Sequence, residues 1–214
     1  MNKLYNKNPK LKTHVVIVLD ESGSMEMIYD ETLTGVNEQI QLIKSMQKEN
    51  HDIKASLITF SSDVEERIFN EPVKKLKKLT RSDYKPKTST ALYDAVGYAI
   101  DKVEDVIDSE TSVLMIIVTD GWENASHIVN KTDVSEKIRL LNKDELWTIT
   151  YLGPNSVDLS KISKDLNISI SNMSQFSVDS IGTKNAWDKV SSSTACYMNL
   201  RNAGETKVDN FYNS

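Results

Sequence analysis

A single cysteine, Cys196, occurs in 214 residues. No intramolecular disulfide framework can therefore brace the chain, and such usage fits a reducing, cytoplasmic compartment. Histidine is also scarce, with three copies at His14, His51 and His127, whereas a zinc site would draw on His or Cys. No apolar run approaches the length that crosses a membrane, and the basic opening MNKLYNKNPKLKTH lacks the apolar centre of a signal peptide. A phosphate-cradling P-loop and a G-x-G-x-x-G turn are both missing. The net charge of −5 gives no electrostatic reason to expect nucleic acid. Its one basic run, Lys74-Lys75-Leu76-Lys77-Lys78, reads as a solvated surface.

What is present is an ordinary soluble composition, with 39% hydrophobic and 27% charged residues, enough for one domain with a substantial core. That domain is expected over residues 13–200, between a flexible lead-in (1–12) and a polar, loosely held tail (201–214). No internal repeat, low-complexity tract or interdomain linker divides it.

The most informative stretch is HVVIVLDESGS, residues 14–24. Val15 to Leu19 are too few for a typical helix and rich in β-branching, so they suit a central strand covered on both faces. Asp20 emerges at its carboxyl end, where open α/β sheets bind ligands. The D-x-S-x-S loop places Asp20, Ser22 and Ser24 there, with Gly23 permitting a tight turn. All three offer oxygen, and an oxygen-only set suits Mg²⁺ or Mn²⁺. Read alone, the loop is equally compatible with a plain turn or a helix cap.

Downstream, Leu33, Val36, Ile40 and Ile43 recur at helical spacing, predicting a helix over 32–48. Residues 53–60 and 64–69 read as a hairpin at a sheet edge, closed by Pro72. A loop over 81–89 precedes Thr90, which opens a second helix with Leu92, Val96, Ala99, Val103 and Ile107 on one face; the ordinary role of Thr90 is to cap that helix. Val113 to Val118 form another apolar strand, again ending in a carboxylate at Thr119-Asp120-Gly121. Adjacent parallel strands would bring Asp20 and Asp120 to about 5 Å of lateral separation, facing one metal. Helices over 134–141 and 156–166, strands over 146–152 and 168–176, and a last helix from 183 complete the alternation. The expected fold is α/β, doubly wound: a mostly parallel sheet with one antiparallel edge strand and helices on both faces.

With Asp20-x-Ser22-x-Ser24, Thr90-Ala91-Leu92-Tyr93-Asp94 and Thr119-Asp120-Gly121 in that order, the chain resembles the von Willebrand factor A domain. Thr119 to Ser126 is similar to the small intracellular bacterial and phage members, including those associated with tellurite resistance. The resemblance implies a metal-ion-dependent adhesion site with Asp20, Ser22, Ser24, Thr90 and Asp120 as ligands. One departure is the loop Lys87-Thr88-Ser89-Thr90, where many relatives carry two glycines, which makes Thr88 an alternative ligand. The additional metal site of integrin β subunits is not evident, since Glu26 and Asp30 do not reproduce its acidic spacing.

The function so implied is a Mg²⁺-dependent protein-binding module, with no catalysis, in which a partner's Asp or Glu completes the coordination. A metal-dependent phosphatase or nuclease is the alternative. A phosphatase of the haloacid dehalogenase type would want Asp where Ser22 stands, and no histidine but His127 falls near the loops as a general base. A structural subunit of a phage particle or larger complex is the third reading. Tyr29, Tyr93 and Trp122 are candidates for the rim of the metal face, while Trp147 and Trp187 belong in the core.

Overall fold

The computed structural model describes residues 10–213; most of the lead-in, residues 1–9, lies outside them. Six strands form one sheet: β1 (Leu11–Asp20), β2 (His51–Phe60), β3 (Val64–Pro72), β4 (Thr111–Val118), β5 (Trp147–Pro154) and β6 (Met173–Phe176). Their spatial order is β3-β2-β1-β4-β5-β6. Only the β2–β3 pair is antiparallel, so the doubly wound sheet with one antiparallel edge is as the sequence pattern predicts. The helices are α1 (Tyr29–Ser45), α2 (Leu92–Glu104), α3 (Lys131–Leu141), α4 (Leu159–Leu166) and α5 (Ser180–Ala203).

Strand β1 is central, and alternation along it divides the core. Val15, Ile17 and Leu19 face α1 and α5, with Val36, Ile40, Trp187 and Val190. Val16 and Val18 face the other layer, with Val96, Ile100 and Ile138. Both faces are covered, which is why the strand reads as an unbroken apolar run rather than an alternating one. Trp147 and Trp187 are both core residues.

Element boundaries shift where local polar groups override periodicity. A short 3-10 turn over Gly23–Ile28 leads into α1, which starts at Tyr29 rather than 32. Helix α5 starts at Ser180 because Asp179 caps it, accepting a hydrogen bond from the Gly182 N–H. The last strand is shortened to Met173–Phe176 by a 3-10 turn over Ile170–Asn172. Pro72 ends β3 from within, as an edge strand permits.

The tail requires a correction. Val208, Phe211 and Tyr212 are buried against the α1/α5 face of the core. The Phe211 N–H donates to Asn172 Oδ1 and the Val208 N–H to Thr148 Oγ1. Three apolar side chains at irregular spacing among polar ones give no helical or strand period, yet together they close the end of the sheet. Just before them, the buried Arg201 ties α5 to the start of β1: its Nε lies 3.3 Å from Thr13 Oγ1 and its Nη2 3.2 Å from the Lys12 carbonyl. Leu11 and Lys12, expected within the lead-in, therefore belong to the fold.

Candidate metal centre

Strands β1 and β4 are adjacent and parallel, with Leu19 opposite Val118, so Asp20 and the Thr119-Asp120 pair leave the sheet side by side. Asp20 is fully buried. One of its oxygens accepts the Ser22 N–H at 2.7 Å and the other the Thr119 hydroxyl at 2.5 Å. Ser24 donates to Asp120 Oδ1 at 2.7 Å, and the Ser22 and Ser24 hydroxyls are 3.1 Å apart. A Cβ built on Gly121 would stand 3.6 Å from Thr90 Oγ1 and 3.7 Å from Ser24 Oγ, so these two hydroxyls converge on the same glycine. Of the five residues expected to hold a metal, the structure brings all five to one end of the sheet.

Thr90 is not the cap of α2. Ala91 takes that position, without a side-chain cap, and the Thr90 hydroxyl is left to the cluster. Its backbone is fixed instead by Asn124: the Thr90 N–H donates to Asn124 Oδ1 at 3.0 Å, and the Asn124 N–H to the Thr90 carbonyl at 3.0 Å. Thr88 is exposed, and its hydroxyl stands 3.5 Å from Ser62 Oγ. The loop without glycines therefore presents Thr90, not Thr88, to the carboxylates.

Several residues to which sequence reasoning gave no organising role hold this arrangement. Glu21 is buried and engages Arg67 of β3 and the Lys85 N–H, while its carbonyl accepts the Lys87 N–H at 2.7 Å. Tyr84 donates its hydroxyl to the Asp20 carbonyl at 2.8 Å. Glu123 collects the N–H groups of Tyr93, Ala125 and Ser126 and the Ser126 hydroxyl. Asp94, buried in the first turn of α2, accepts from the N–H groups of His127, Ile128 and Val129. The available signal was position alone, since each carboxylate lies one to four residues from a site residue.

Electrostatically the pair is under-compensated. Burial pushes the Asp20 carboxyl up to about 6, against the opposing hydrogen bonds from Thr119 and Ser22, with the Asp120 charge adding to the rise. Burial likewise raises Asp120. Among the described residues no Lys, Arg or His lies within ion-pair distance of either. Asp120 Oδ2 is buried with no hydrogen-bond partner. Two carboxylates, one of them with an orphaned oxygen, and three hydroxyls form an all-oxygen site short of positive charge, and a divalent cation fits that deficit. Among the described residues no group of three or more His, Cys, Asp or Glu could hold a metal; this cluster relies on hydroxyls beyond its two aspartates.

The family model of the von Willebrand factor type A domain matches residues 14–186, spanning all three loops. The chain belongs to that family. No curated protein matches it, but solved structures share the fold. Proximal thread matrix protein 1 from the mussel byssus superimposes with a TM-score of 0.62 at 16% identity, over 87% of this chain and 46% of that one. The PilB minor pilin from Streptococcus sanguinis gives 0.64 at 10%, over 89% and 63%. The pilus adhesin SpaC from Lactobacillus rhamnosus GG gives 0.65 at 14%, over 88% and 30%. This A domain thus spans between about a third and two thirds of those chains. A second structure of the mussel protein has a zinc-occupied metal-ion-dependent adhesion site (TM-score 0.61, 12% identity, over 87% of this chain and 48% of that one). A domains are generally adhesion or interaction modules with a divalent metal at this site.

The remaining expected residues fall as follows. Trp122 is 46% exposed beside the cluster. Tyr93 is half-buried, and Tyr29 stacks on Tyr84 with ring centroids 5.5 Å apart. His127 is exposed, with Nδ1 3.4 Å from Asp94 Oδ2, and so is directed at a loop-organising carboxylate. His14 and His51 are buried, bonded to Ser56 and Thr13. Among the described residues no helix is long and apolar enough to cross a membrane.

Proposed function

We propose that this A domain is a Mg²⁺- or Mn²⁺-dependent protein-binding module, in which Asp20, Ser22, Ser24, Thr90 and Asp120 hold the ion and a partner's Asp or Glu completes its coordination. The observation that carries this reading is the buried, unpartnered Asp120 Oδ2 beside a second uncompensated carboxylate. Ser24 gives its proton to Asp120 Oδ1, and the Ser22 hydroxyl stands 3.1 Å from Ser24 Oγ, which leaves lone pairs on the serine oxygens for coordination. Thr119, outside the ligand set, donates to Asp20 and orients its carboxylate. Three neutral ligands and two carboxylates at most cancel the double charge, so the bound ion supplies Lewis acidity toward an outside carboxylate. The all-oxygen set favours Mg²⁺ over the zinc of the mussel protein, and the single cysteine supports a cytoplasmic setting.

The partner we infer presents one acidic side chain within a basic surface, because Glu26, Asp30 and Glu31 follow the D-x-S-x-S loop in the 3-10 turn and the first turn of α1 and would repel a broadly acidic one. Affinity capture in Mg²⁺ and in EDTA, with Asp20→Ala as control, tests the reading. A partner retained through Mg²⁺ in the wild type and lost in both other conditions supports it. Equal capture in all three overturns it. For an identified partner, removing its carboxylate and removing Mg²⁺ break the same bond, so their effects on affinity are sub-additive.

A further inference from the structure

Beside the metal centre lies a cleft of about 250 Å³ between the start of α2, the Gly121–Glu123 loop and α4, lined by Leu92, Tyr93, Trp122, Lys161, Ile162 and Leu166. Gly121 belongs both to its wall and to the cluster, where it faces the Thr90 and Ser24 hydroxyls. The cleft and the cluster therefore share a wall at Gly121.

Three of the four charged groups of the wall are already matched. Lys131 pairs with Asp165 at 3.0 Å, and the Glu123 carboxylate is occupied by backbone and hydroxyl donors. An apolar occupant would strand none of them. Lys161 is different: its Nζ stands 5.4 Å from the centre of the Trp122 ring, and among the described residues no carboxylate pairs with it. Its charge meets a π-face instead. A cationic side chain would be repelled, an alkyl side chain would fill the space only, and an aromatic ring would offer that ammonium a second π-face while covering the exposed indole. A carboxylate would gain a solvent-exposed ion pair of small value.

We infer that this cleft is a specificity pocket for an aromatic side chain of the partner, one or two residues from the acidic residue that reaches the metal. The inference rests on the metal-dependent reading above and adds to it the second anchor by which one acidic peptide is told from another. At about 3.3 Å per extended residue, neighbouring positions of a peptide reach from the Gly121 edge into the cleft.

The test is a bead-displayed library of random heptapeptides with a fixed central Asp, selected against the full chain in Mg²⁺, with recovered sequences resynthesised and titrated in Mg²⁺ and EDTA. The expected result is enrichment of Phe, Tyr or Trp within two residues of the Asp, with Mg²⁺-dependent binding. Replacing that aromatic by Ala should weaken binding about tenfold in the wild type and much less in Trp122→Ala, while Lys161→Met should cost the aromatic peptide about two- to fivefold. Mg²⁺-dependent binders without aromatic enrichment overturn the pocket and leave the metal reading standing. Aromatic binders indifferent to EDTA, or no binder at all, overturn the metal reading and the pocket with it.

Discussion

Arg67 closes on Glu21 with one guanidinium nitrogen 3.0 and 2.8 Å from the two carboxylate oxygens, linking the antiparallel edge strand to the residue directly after Asp20. The same guanidinium donates to Thr59 Oγ1 and pairs with Glu65. Because Glu21 also holds the backbone of residues 85 and 87, one ion pair sets the D-x-S-x-S loop against the loop that delivers Thr90. This supplies by side-chain clamping the definition that the loop lacks in glycines. Arg67→Ala should cost about 3 kcal/mol of stability, since it strands a buried carboxylate, and should weaken metal binding as well. The double variant with Glu21→Gln should recover part of the loss in urea denaturation; strictly additive losses would show that the pair is not coupled.

Thr90 and Thr88 separate by function rather than by stability. Divalent-ion binding at free ion concentration c raises the unfolding free energy by RT ln(1 + c/Kd), about 2.7 kcal/mol at a hundredfold excess over Kd. Thr90→Val should lose most of the Mg²⁺-induced rise in melting temperature, and Thr88→Val should keep it. Differential scanning fluorimetry in Mg²⁺ and EDTA decides between them.

Asp20→Asn should stabilise the metal-free protein. A carboxyl whose folded pKa is raised to about 6, from an ordinary 3.8, contributes stability that is fully present below pH 3.8 and lost as pH rises through 6. At pH 7 in EDTA the buried charge costs about 3 kcal/mol, and the amide removes it. Denaturation at pH 7 in EDTA should therefore show a gain of about 1–3 kcal/mol, shrinking towards pH 4, while the response to Mg²⁺ disappears.

His14 works with the opposite sign on the acid side. Burial, with Lys54 nearby, pushes its pKa down to about 4 from 6.5, so between those values the unfolded chain binds the extra proton. Stability falls as pH drops through that window, by up to about 3 kcal/mol. Asp20 opposes this trend, so the readout is the difference between wild type and His14→Gln across pH 4–7 at one Mg²⁺ concentration. A flat difference would place His14 in a more polar setting.

Phe211→Ala tests the tail. The ring is fully buried, and its truncation should cost about 3–5 kcal/mol. A change below 1 kcal/mol in equilibrium denaturation would return residues 208–212 to the loosely held state that their polar sequence suggested.

The strands of this fold were legible because β1 and β4 are apolar on both faces and end in Asp20 and Asp120. The five-residue cluster was legible through the resemblance of its three loops to the family's motif, with Asp20 and Asp120 marked besides by their places at the ends of apolar strands. Glu21 with Arg67 was not, because the two residues are 46 positions apart and neither breaks a local pattern. Asn124 and Asp94 were hidden for a related reason: they bond to backbone groups of another loop, and a sequence does not show which N–H groups a loop will leave unpaired. Trp122 could be placed near the metal loops, but its cleft depends on α4, 37 or more residues onward in the chain.

The buried Arg201 has a consequence for how the chain is made. The first residues of β1 emerge from a ribosome 188 positions before the side chain that seals them. A growing chain thus holds the central strand β1 in need of cover from α5 until residue 201 has been made. Sheets assembled from such distant parts fold slowly and are exposed to aggregation while they wait. Stalled translation short of Arg201 should therefore yield chains that depend on chaperones or fall to proteases, whatever the metal concentration in the cell.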